Sequence, residues 1–162
     1  MTDTSYRVIV ASDNSPVSRK AVHYAVDLCK KLAVPHELEV VFVVALNPLV
    51  NPVPFLGDLD RSANVGIEND AKKDLEELRG FLKQFDGVVN YKIVDIKDYT
   101  DVGPILETYA EKRAANLFVI GSRNNDGLKK LILGSTSEYC IHHVKCPVVV
   151  VKGDYNETKK TE

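Results

Sequence analysis

Five short apolar runs alternate with longer amphipathic stretches along the 162 residues of the chain. Continuous apolar runs of this length are typical of parallel strands that are covered on both faces. The third run instead alternates apolar and polar positions in part, which predicts a strand at an edge of the sheet. The predicted strands are residues 7–12, 38–46, 88–96, 117–120 and 147–151.

Between these runs, apolar side chains recur at three- and four-residue spacing and predict four helices. Ser15 and Pro16 mark the start of the first helix, which the pattern carries to about residue 33. The second helix is expected over residues 62–85, the third from Pro104, and the fourth from Ser135 to about residue 143. The three prolines within residues 47–57 predict a long surface loop, although several of its side chains are apolar.

The regular alternation of strands and helices predicts an α/β fold with a doubly wound, five-stranded parallel sheet and helices on both faces. The chain has no internal repeat, and nothing in it indicates a second domain. We therefore expect a single domain over residues 1–152, followed by a polar, disordered tail over residues 153–162.

The charge and hydropathy of the chain disfavour two classes of binding partner, nucleic acid and membranes. A formal net charge of -2 without a basic cluster gives no general attraction to nucleic acid or to an anionic membrane surface. No apolar run is long enough to span a bilayer, and the first residues lack the apolar core of a signal peptide. We therefore expect a cytoplasmic protein that binds neither nucleic acid nor membranes.

The three cysteines, Cys29, Cys140 and Cys146, fit a reducing compartment, because their number is odd and no C-x-x-C pair occurs. Cys140 and Cys146 lie close in sequence to His142 and His143, which raises the question of a metal site. Adjacent histidines on a helix point about 100° apart, so this group is not expected to converge on an ion.

Residues 117–137 have the composition of an anion-binding loop. A buried strand is expected to break at Gly121, and a polar loop leads to Gly134 and Ser135, where a helix begins. Glycines allow the backbone to come close, and the amide groups of a helix N-terminus favour negative charge. By spacing alone, an ordinary turn before a capped helix is about equally consistent. The chain contains neither a P-loop nor a G-x-G-x-x-G motif.

The spacing of this loop resembles the motif of the nucleotide-binding branch of the universal stress protein family. That motif is Gly, two residues, Gly, nine residues, and Gly followed by Ser or Thr; here Gly121, Asn124, Gly134 and Ser135 occupy the fixed positions. Asn124 replaces a glycine, and Asn is the non-glycine residue that best tolerates a left-handed backbone. The resemblance extends over residues 7–152 and includes Asp13, at the position of the family's ribose-binding aspartate. From spacing alone, a turn or helix-capping role would be the better interpretation of Asp13.

The resemblance implies an adenine nucleotide α-hydrolase-like fold of strand order 3-2-1-4-5 that holds ATP, or AMP, between strands 1 and 4. Asp13 would contact the ribose, and backbone near Ala11 and at Val44 or Ala45 would frame the adenine. Mg²⁺ would bind through the phosphates. The complete predicted site consists of Ala11, Ser12, Asp13, Val44, Ala45, Gly121, Ser122, Arg123, Asn124, Gly134, Ser135, Thr136 and Ser137.

The resemblance also implies a homodimer built through the final strand, Val148 to Val151, whose edge would otherwise be uncovered. We predict an ATP-binding regulatory protein of the stress response with at most slow ATP hydrolysis, because no dedicated catalytic set is evident. The alternative is a nucleotide-free dimeric interaction module of the same fold, which the Asn124 substitution favours.

Two enzymatic or signalling classes of related fold are disfavoured. An adenylating enzyme would carry a Ser-Gly-Gly-x-Asp-Ser pyrophosphate loop, whereas residues 12–15 read Ser-Asp-Asn-Ser. A phosphoacceptor receiver domain would need an acidic pair after the first strand, where only Asp13 is present.

Overall fold

The computed structural model of the protein describes residues 5–48, 54–122 and 133–153. Strands and helices alternate through these residues, as the pattern of apolar positions predicts. In chain order the elements are β1 (Tyr6–Ala11), α1 (Pro16–Cys29), β2 (His36–Ala45), α2 (Pro54–Leu82), a 3₁₀ turn (Lys83–Phe85), β3 (Tyr91–Asp98), α3 (Val102–Lys112), β4 (Leu117–Ser122), α4 (Ser135–His143) and β5 (Val148–Lys152).

The strands are all parallel and lie in the order β3-β2-β1-β4-β5, which confirms the predicted fold class and strand order. β1 is central, and its Val8 lies opposite Leu38 of β2 on one side and Leu117 of β4 on the other. The chain winds outward through β2 and β3 and then crosses to the far side of β1. The carboxyl ends of β1 and β4 therefore flank the point where the winding reverses, which is where ligands bind in open α/β sheets.

The sheet is covered on both faces, and alternate strand residues enter two separate cores. The α1 and α2 face buries Val8, Val10, Val40, Phe42 and Val44 against residues such as Ala25, Leu78 and Leu82. The α3 and α4 face buries Ile9, Ala11, Val41, Phe118 and Ile120 against residues such as Leu106 and Cys140. The continuous apolar runs of β1, β2 and β4 follow from this double coverage.

The predicted loop over residues 47–57 is wrong in its second half. α2 begins at Pro54, eight residues before the predicted start, and continues through Gly66 and Gly80 to Leu82. Proline is well tolerated in the first turn of a helix, so the last of the three prolines starts the helix rather than extending the loop. Neither α2 nor any other helix of the described residues is apolar enough over its length to cross a bilayer.

Several predicted boundaries also need correction. β4 does not break at Gly121, because Gly121 and Ser122 pair with Val151 and Lys152 of β5. α1 ends at Cys29 rather than near residue 33. The α3 helix starts at Val102, before Pro104, which lies in the first turn. The N-cap role predicted for Ser15 is confirmed, and β3 lies at the sheet edge as expected.

A buried carboxylate lies in β2, away from the crevice. Glu39 is fully buried and contacts Arg113 at 2.5 Å, Lys92 at 2.8 Å and the Tyr109 hydroxyl at 2.6 Å. Burial raises the pKa of this carboxyl, but the hydrogen bonds from Arg113, Lys92 and Tyr109 outweigh that effect and hold the pKa below its ordinary value. The cluster joins β2, β3 and α3 at their adjoining ends.

Candidate functional site

A cavity of about 280 Å³ opens at the carboxyl ends of β1 and β4, close to the lower end of the size range of small-molecule sites. Its apolar lining comes from the strands, α3 and the first turn of α1, and its polar lining comes from the loop after β1 and the first turns of α1 and α4. The lining residues are Ala11, Ser12, Asp13, Ser15, Val17, Ser18, Val41, Val43, Val102, Leu106, Ile120, Gly121, Gly134, Ser135, Thr136 and Ser137.

Hydroxyl hydrogen bonds hold the loop after β1 in place. Ser18 donates its hydroxyl proton to the carbonyl oxygen of Ser15 at 3.0 Å. The 3.0 Å contact between the hydroxyls of Ser12 and Ser18 must therefore use the Ser12 proton, because each hydroxyl has only one. The Ser12 oxygen in turn accepts the N–H of Asn14 at 3.4 Å. The hydroxyl protons of Ser12 and Ser18 are thus used within the loop itself.

Asp13 lies at the rim of the cavity and is exposed. Its Oδ1 accepts the N–H of Ser15 at 3.0 Å, while the Ser15 hydroxyl caps α1 by accepting the N–H of Ser18 at 3.4 Å. The aspartate thus has the turn role that spacing alone suggests, and that role fixes its carboxylate at the mouth of the cavity.

Gly121 is required by packing. A methyl group on its α-carbon would lie 2.8 Å from the carbonyl oxygen of Val17 and 3.1 Å from Val17 Cγ2. The end of β4 therefore passes the first turn of α1 at a distance that only glycine allows. The same close approach brings β4 to the edge of the cavity, which Gly121 lines.

Gly134 has no such requirement. Its φ of -72° and ψ of 160° are open to any residue, and a methyl group there would meet nothing nearer than Ser137 Oγ at 3.9 Å. The packing of the described residues therefore does not demand glycine at this position. Gly134 lines the cavity, so a side chain there would take space at its rim.

The first turn of α4 presents Ser135, Thr136 and Ser137 to the cavity. The backbone amides of a first helical turn have no acceptor within the helix, and they carry the positive end of the helix dipole. The Ser137 hydroxyl donates to the carbonyl oxygen of Gly134 at 3.0 Å and so stabilises this turn. Among the described lining residues, Asp13 is the one with a charged side chain. The cavity thus has a carboxylate on one side and helix amides on the other.

The sequence matches the model of the universal stress protein family over residues 5–152, which is nearly the whole chain. The chain belongs to the universal stress protein family. Among its relatives in that family is universal stress protein MJ0531 of Methanocaldococcus jannaschii, which is 25% identical over 146 residues. The alignment covers 90% of this chain and 81% of that protein.

Solved structures of universal stress proteins share the fold at low identity. The UspA protein of Lactobacillus plantarum superimposes with a TM-score of 0.68 at 20% identity, covering 90% of this chain and 97% of that one. A family protein of Arabidopsis thaliana with AMP bound gives 0.57 at 17% identity, covering 97% and 96%. A universal stress protein in complex with cAMP gives 0.52 at 20% identity, covering 92% and 98%.

Eight of the residues predicted from the family resemblance line the cavity. Of the others, Ser122 is fully buried in β4 and is not part of the lining, while Arg123 and Asn124 lie outside the described residues. The eight are Ala11, Ser12, Asp13, Gly121, Gly134, Ser135, Thr136 and Ser137.

Val44 and Ala45 are not among the residues that line the cavity, and the Val44 side chain lies in the core on the opposite face of the sheet. Val41 and Val43 line the cavity instead. Ala11 pairs with Val41, and strand positions of the same parity share a face, so Val41 and Val43 follow as lining residues once the register is known. A contact from the backbone of Val44 or Ala45 to an adenine stays a prediction.

Six further lining residues were not predicted from the sequence: Ser15, Val17, Ser18, Val102, Leu106 and Ile120. Ser15 and Ser18 were detectable from their i, i+3 spacing at the start of α1, which lets both hydroxyls serve the first turn. The two residues from α3 had no comparable signal, because its approach to the cavity depends on how α3 packs against the sheet.

Cys29 and Cys140 are buried, and burial raises the pKa of their thiols to about 11 and about 12, with Glu107 adding to the effect at Cys140. Both thiols are therefore protonated at neutral pH and serve as packing residues. Within the part of the chain that the structure describes, no three His, Cys, Asp or Glu side chains form a metal-binding group.

Proposed function

We propose that this universal stress protein is an ATP-binding regulatory protein of the stress response, with the nucleotide held between the ends of β1 and β4. Gly134 is the observation that carries the proposal. The packing of the described residues around it leaves room for a side chain, yet the chain has glycine there, at the N-terminus of α4 and on the rim of the cavity. An anion bound at the N-terminus of α4 would occupy the space that a side chain at position 134 would take, and this would account for the glycine.

The phosphates would lie against the amides of Gly134, Ser135, Thr136 and Ser137, near Gly121. The hydroxyls of Ser135 and Thr136 would add donors, whereas the Ser137 proton already serves the Gly134 carbonyl. Arg123 and Asn124 would complete the phosphate loop, and Mg²⁺ would bind through the phosphates. No described lining side chain is cationic, so the amides and the helix dipole would supply most of the attraction there.

The nucleoside would lie on the other side of the cavity. Asp13 would accept hydrogen bonds from the ribose hydroxyls, and the adenine would contact the apolar surface near Ala11, Val41 and Val43. The AMP and cAMP complexes of structural neighbours support an adenine nucleotide as the ligand class. ATP is our choice within that class because the glycine motif and the α4 terminus together offer contacts for several phosphates.

The protein is proposed to bind ATP rather than to turn it over rapidly. Asp13 is the one titratable carboxylate of the described lining, and its Oδ1 is engaged with the Ser15 amide. A single domain in the cytoplasm fits the family match over residues 5–152 and the three free cysteines.

A homodimer through β5 is the second part of the proposal. β5 lies at the end of the sheet order, and its Val148, Val149 and Val150 are only half-buried. Such an apolar edge favours pairing with another strand, and a second copy of the chain supplies one. Sedimentation equilibrium should give twice the mass of one chain, whereas a monomer at micromolar concentration would contradict this part.

The nucleotide proposal is tested by Gly134→Val. A β-branched side chain at the rim should remove measurable Mg-ATP binding in calorimetry, while the far-ultraviolet circular dichroism and the melting temperature stay close to those of the unaltered protein. Val88→Ala, at an exposed position outside the lining, is the matched control and should retain affinity. Equal ATP affinity in Gly134→Val would refute the phosphate site.

A nucleotide-free interaction module is the alternative function, supported by the half-buried apolar edge at β5 and by Asn124 in place of a motif glycine. It predicts that the unaltered protein gives no heat with ATP, AMP or cAMP. The same titration therefore separates the two functions.

A further inference from the structure

We propose that Asn14 is a positioning residue for Asp13, and that Arg19 of α1 and Glu77 of α2 hold Asn14 in place. The inference rests on the proposed function, because it concerns the carboxylate that would contact the ribose. It adds a role for α2, which contributes no residue to the described lining of the cavity.

The backbone of Asn14 is unusual. Its φ is +66°, in the left-handed region that few residues other than glycine adopt. Asn14 lies directly between Asp13 and Ser15, so this one residue turns the chain from β1 into α1. The hydrogen bond from the Ser15 N–H to Asp13 Oδ1 spans the turn at 3.0 Å. The conformation of Asn14 is therefore one determinant of the direction of the Asp13 carboxylate.

The side-chain amide of Asn14 makes three hydrogen bonds. Its Oδ1 accepts from Arg19 Nε at 3.0 Å and from the terminal guanidinium nitrogen of Arg19 at 2.7 Å. Its Nδ2 donates to Glu77 Oε2 at 3.1 Å. A cation thus faces the oxygen and an anion faces the nitrogen, which fixes the amide in one orientation. Rotating it by 180° would set N–H groups against the guanidinium and the oxygen against the carboxylate.

The packing of α2 on the core positions the backbone that carries Glu77 and the Phe81 ring that Arg19 contacts. Next to Glu77, Leu78 is fully buried in the core. The Arg19 guanidinium lies over the ring of Phe81, 5.0 Å from its centroid, and 4.0 Å from Glu77. The position of α2 on the sheet is therefore transmitted through Glu77 and Asn14 to the loop that carries Asp13.

A shift of this loop should affect the sugar more than the phosphates. Losing one hydrogen bond to a charged group typically costs about tenfold or more in affinity, so the unaltered protein should bind ATP about tenfold tighter than 2′-deoxy-ATP. The ratio of the two dissociation constants cancels any effect of a substitution on phosphate binding. It also cancels a general loss of folded protein, which a merely structural role would cause.

The test measures this ratio by calorimetry for four variants. Glu77→Ala removes the anion, and Asn14→Gly keeps access to the left-handed backbone but removes all three side-chain bonds. Both should lower the ratio to below about threefold while 2′-deoxy-ATP affinity stays within about twofold. Glu77→Gln keeps an acceptor for Asn14 Nδ2, so this variant should retain most of the ratio. Glu76→Ala removes a neighbouring exposed carboxylate of α2 and should leave the ratio unchanged.

The outcomes separate the two claims. No binding of either nucleotide by the unaltered protein would overturn the proposed function and this inference with it. The expected ratio between the two dissociation constants in the unaltered protein is about tenfold. If Glu77→Ala and Asn14→Gly keep that ratio, only the inference is overturned. Equal weakening of both nucleotides in these variants would also overturn it, because a positioning role for Asp13 requires a selective loss.

Discussion

Gly121 and Gly134 belong to the same motif, but alanine should have a different effect at each position. It should lower stability at Gly121 and weaken ATP binding at Gly134. Gly121→Ala places a methyl group 2.8 Å from the carbonyl oxygen of Val17, whereas Gly134→Ala places one no closer than 3.9 Å to any neighbour among the described residues. The first substitution therefore tests packing, and the second tests the cavity. Measuring stability and ATP affinity for both variants separates these two roles.

The cost of Gly121→Ala follows from the contact. Overpacking of this kind costs about 1–3 kcal/mol, and here the neighbour is a backbone carbonyl that cannot move without displacing α1. Loss of unfolded-state freedom returns about 0.4–1 kcal/mol, so we expect a net destabilisation of about 1–2 kcal/mol. For a chain of this length, that corresponds to a fall in melting temperature of roughly 2–8 °C.

Gly134→Ala should leave stability nearly unchanged. Alanine is a poorer N-cap than glycine by up to about 1 kcal/mol, and the entropic gain from replacing glycine is of similar size and opposite sign. The net change should stay within about 0.5 kcal/mol. ATP affinity should nevertheless fall, because the methyl group occupies space beside the α4 amides.

The assay is urea unfolding followed by circular dichroism, paired with Mg-ATP calorimetry on the same preparations. Equal destabilisation by Gly134→Ala and Gly121→Ala would contradict the different packing roles of the two glycines. Unchanged stability in Gly121→Ala would contradict the packing role of Gly121, because the short contact with Val17 would then have no energetic consequence.

Two further predictions concern buried polar groups outside the cavity. Glu39 has a folded-state pKa below its unfolded value of about 4.3, so its ionised form contributes stability above about pH 4.3 that is lost as the pH falls through the folded value. Urea unfolding between pH 3 and 6 should therefore show a steeper acid loss in the unaltered protein than in Glu39→Gln, and equal slopes would contradict this. Asn64 is 7% exposed and contacts both the N–H and the carbonyl of Asn47, at 2.8 and 3.0 Å. Asn64→Ala should cost about 1–2 kcal/mol and speed hydrogen exchange at the Asn47 amide, unlike the exposed control Ser62→Ala; unchanged exchange would count against the contact.

The number of strands, their parallel arrangement and the helices between them follow from local pattern and general rules. Apolar runs separated by amphipathic stretches of helical length predict parallel crossovers, and their handedness is nearly fixed. The identity of strands 1 and 4 as neighbours came from the family's motif, because periodicity does not determine strand order. Asp13 and Gly134 could therefore be placed at one site before any coordinates.

The contacts that hold the site in place could not be predicted in this way. Glu77 looks like any charge on the exposed face of a helix, and its bond to Asn14 joins residues 63 positions apart. Glu39 likewise follows Leu38 in a strand with no sign that Arg113 will reach it, 74 positions later. Such pairs depend on how helices pack on the sheet, which single-sequence periodicity does not encode.

The different roles of Gly121 and Gly134 could not be predicted from the sequence either. In the sequence, Gly121 and Gly134 are equivalent parts of one spacing motif. The close contact with Val17 shows that packing requires glycine at position 121, whereas the packing of the described residues does not require it at position 134. Reading the motif as a phosphate loop alone would therefore assign Gly121 too much of the binding.

The central claim, that the cavity between β1 and β4 holds ATP, is tested most directly by identifying nucleotide in the purified protein. Freshly purified protein is denatured, released nucleotide is identified by chromatography, and Mg-ATP is then titrated into protein freed of ligand. We predict released ATP, or saturable heat with one site per chain. No released nucleotide and no heat with ATP, AMP or cAMP would contradict the claim and favour the nucleotide-free interaction module.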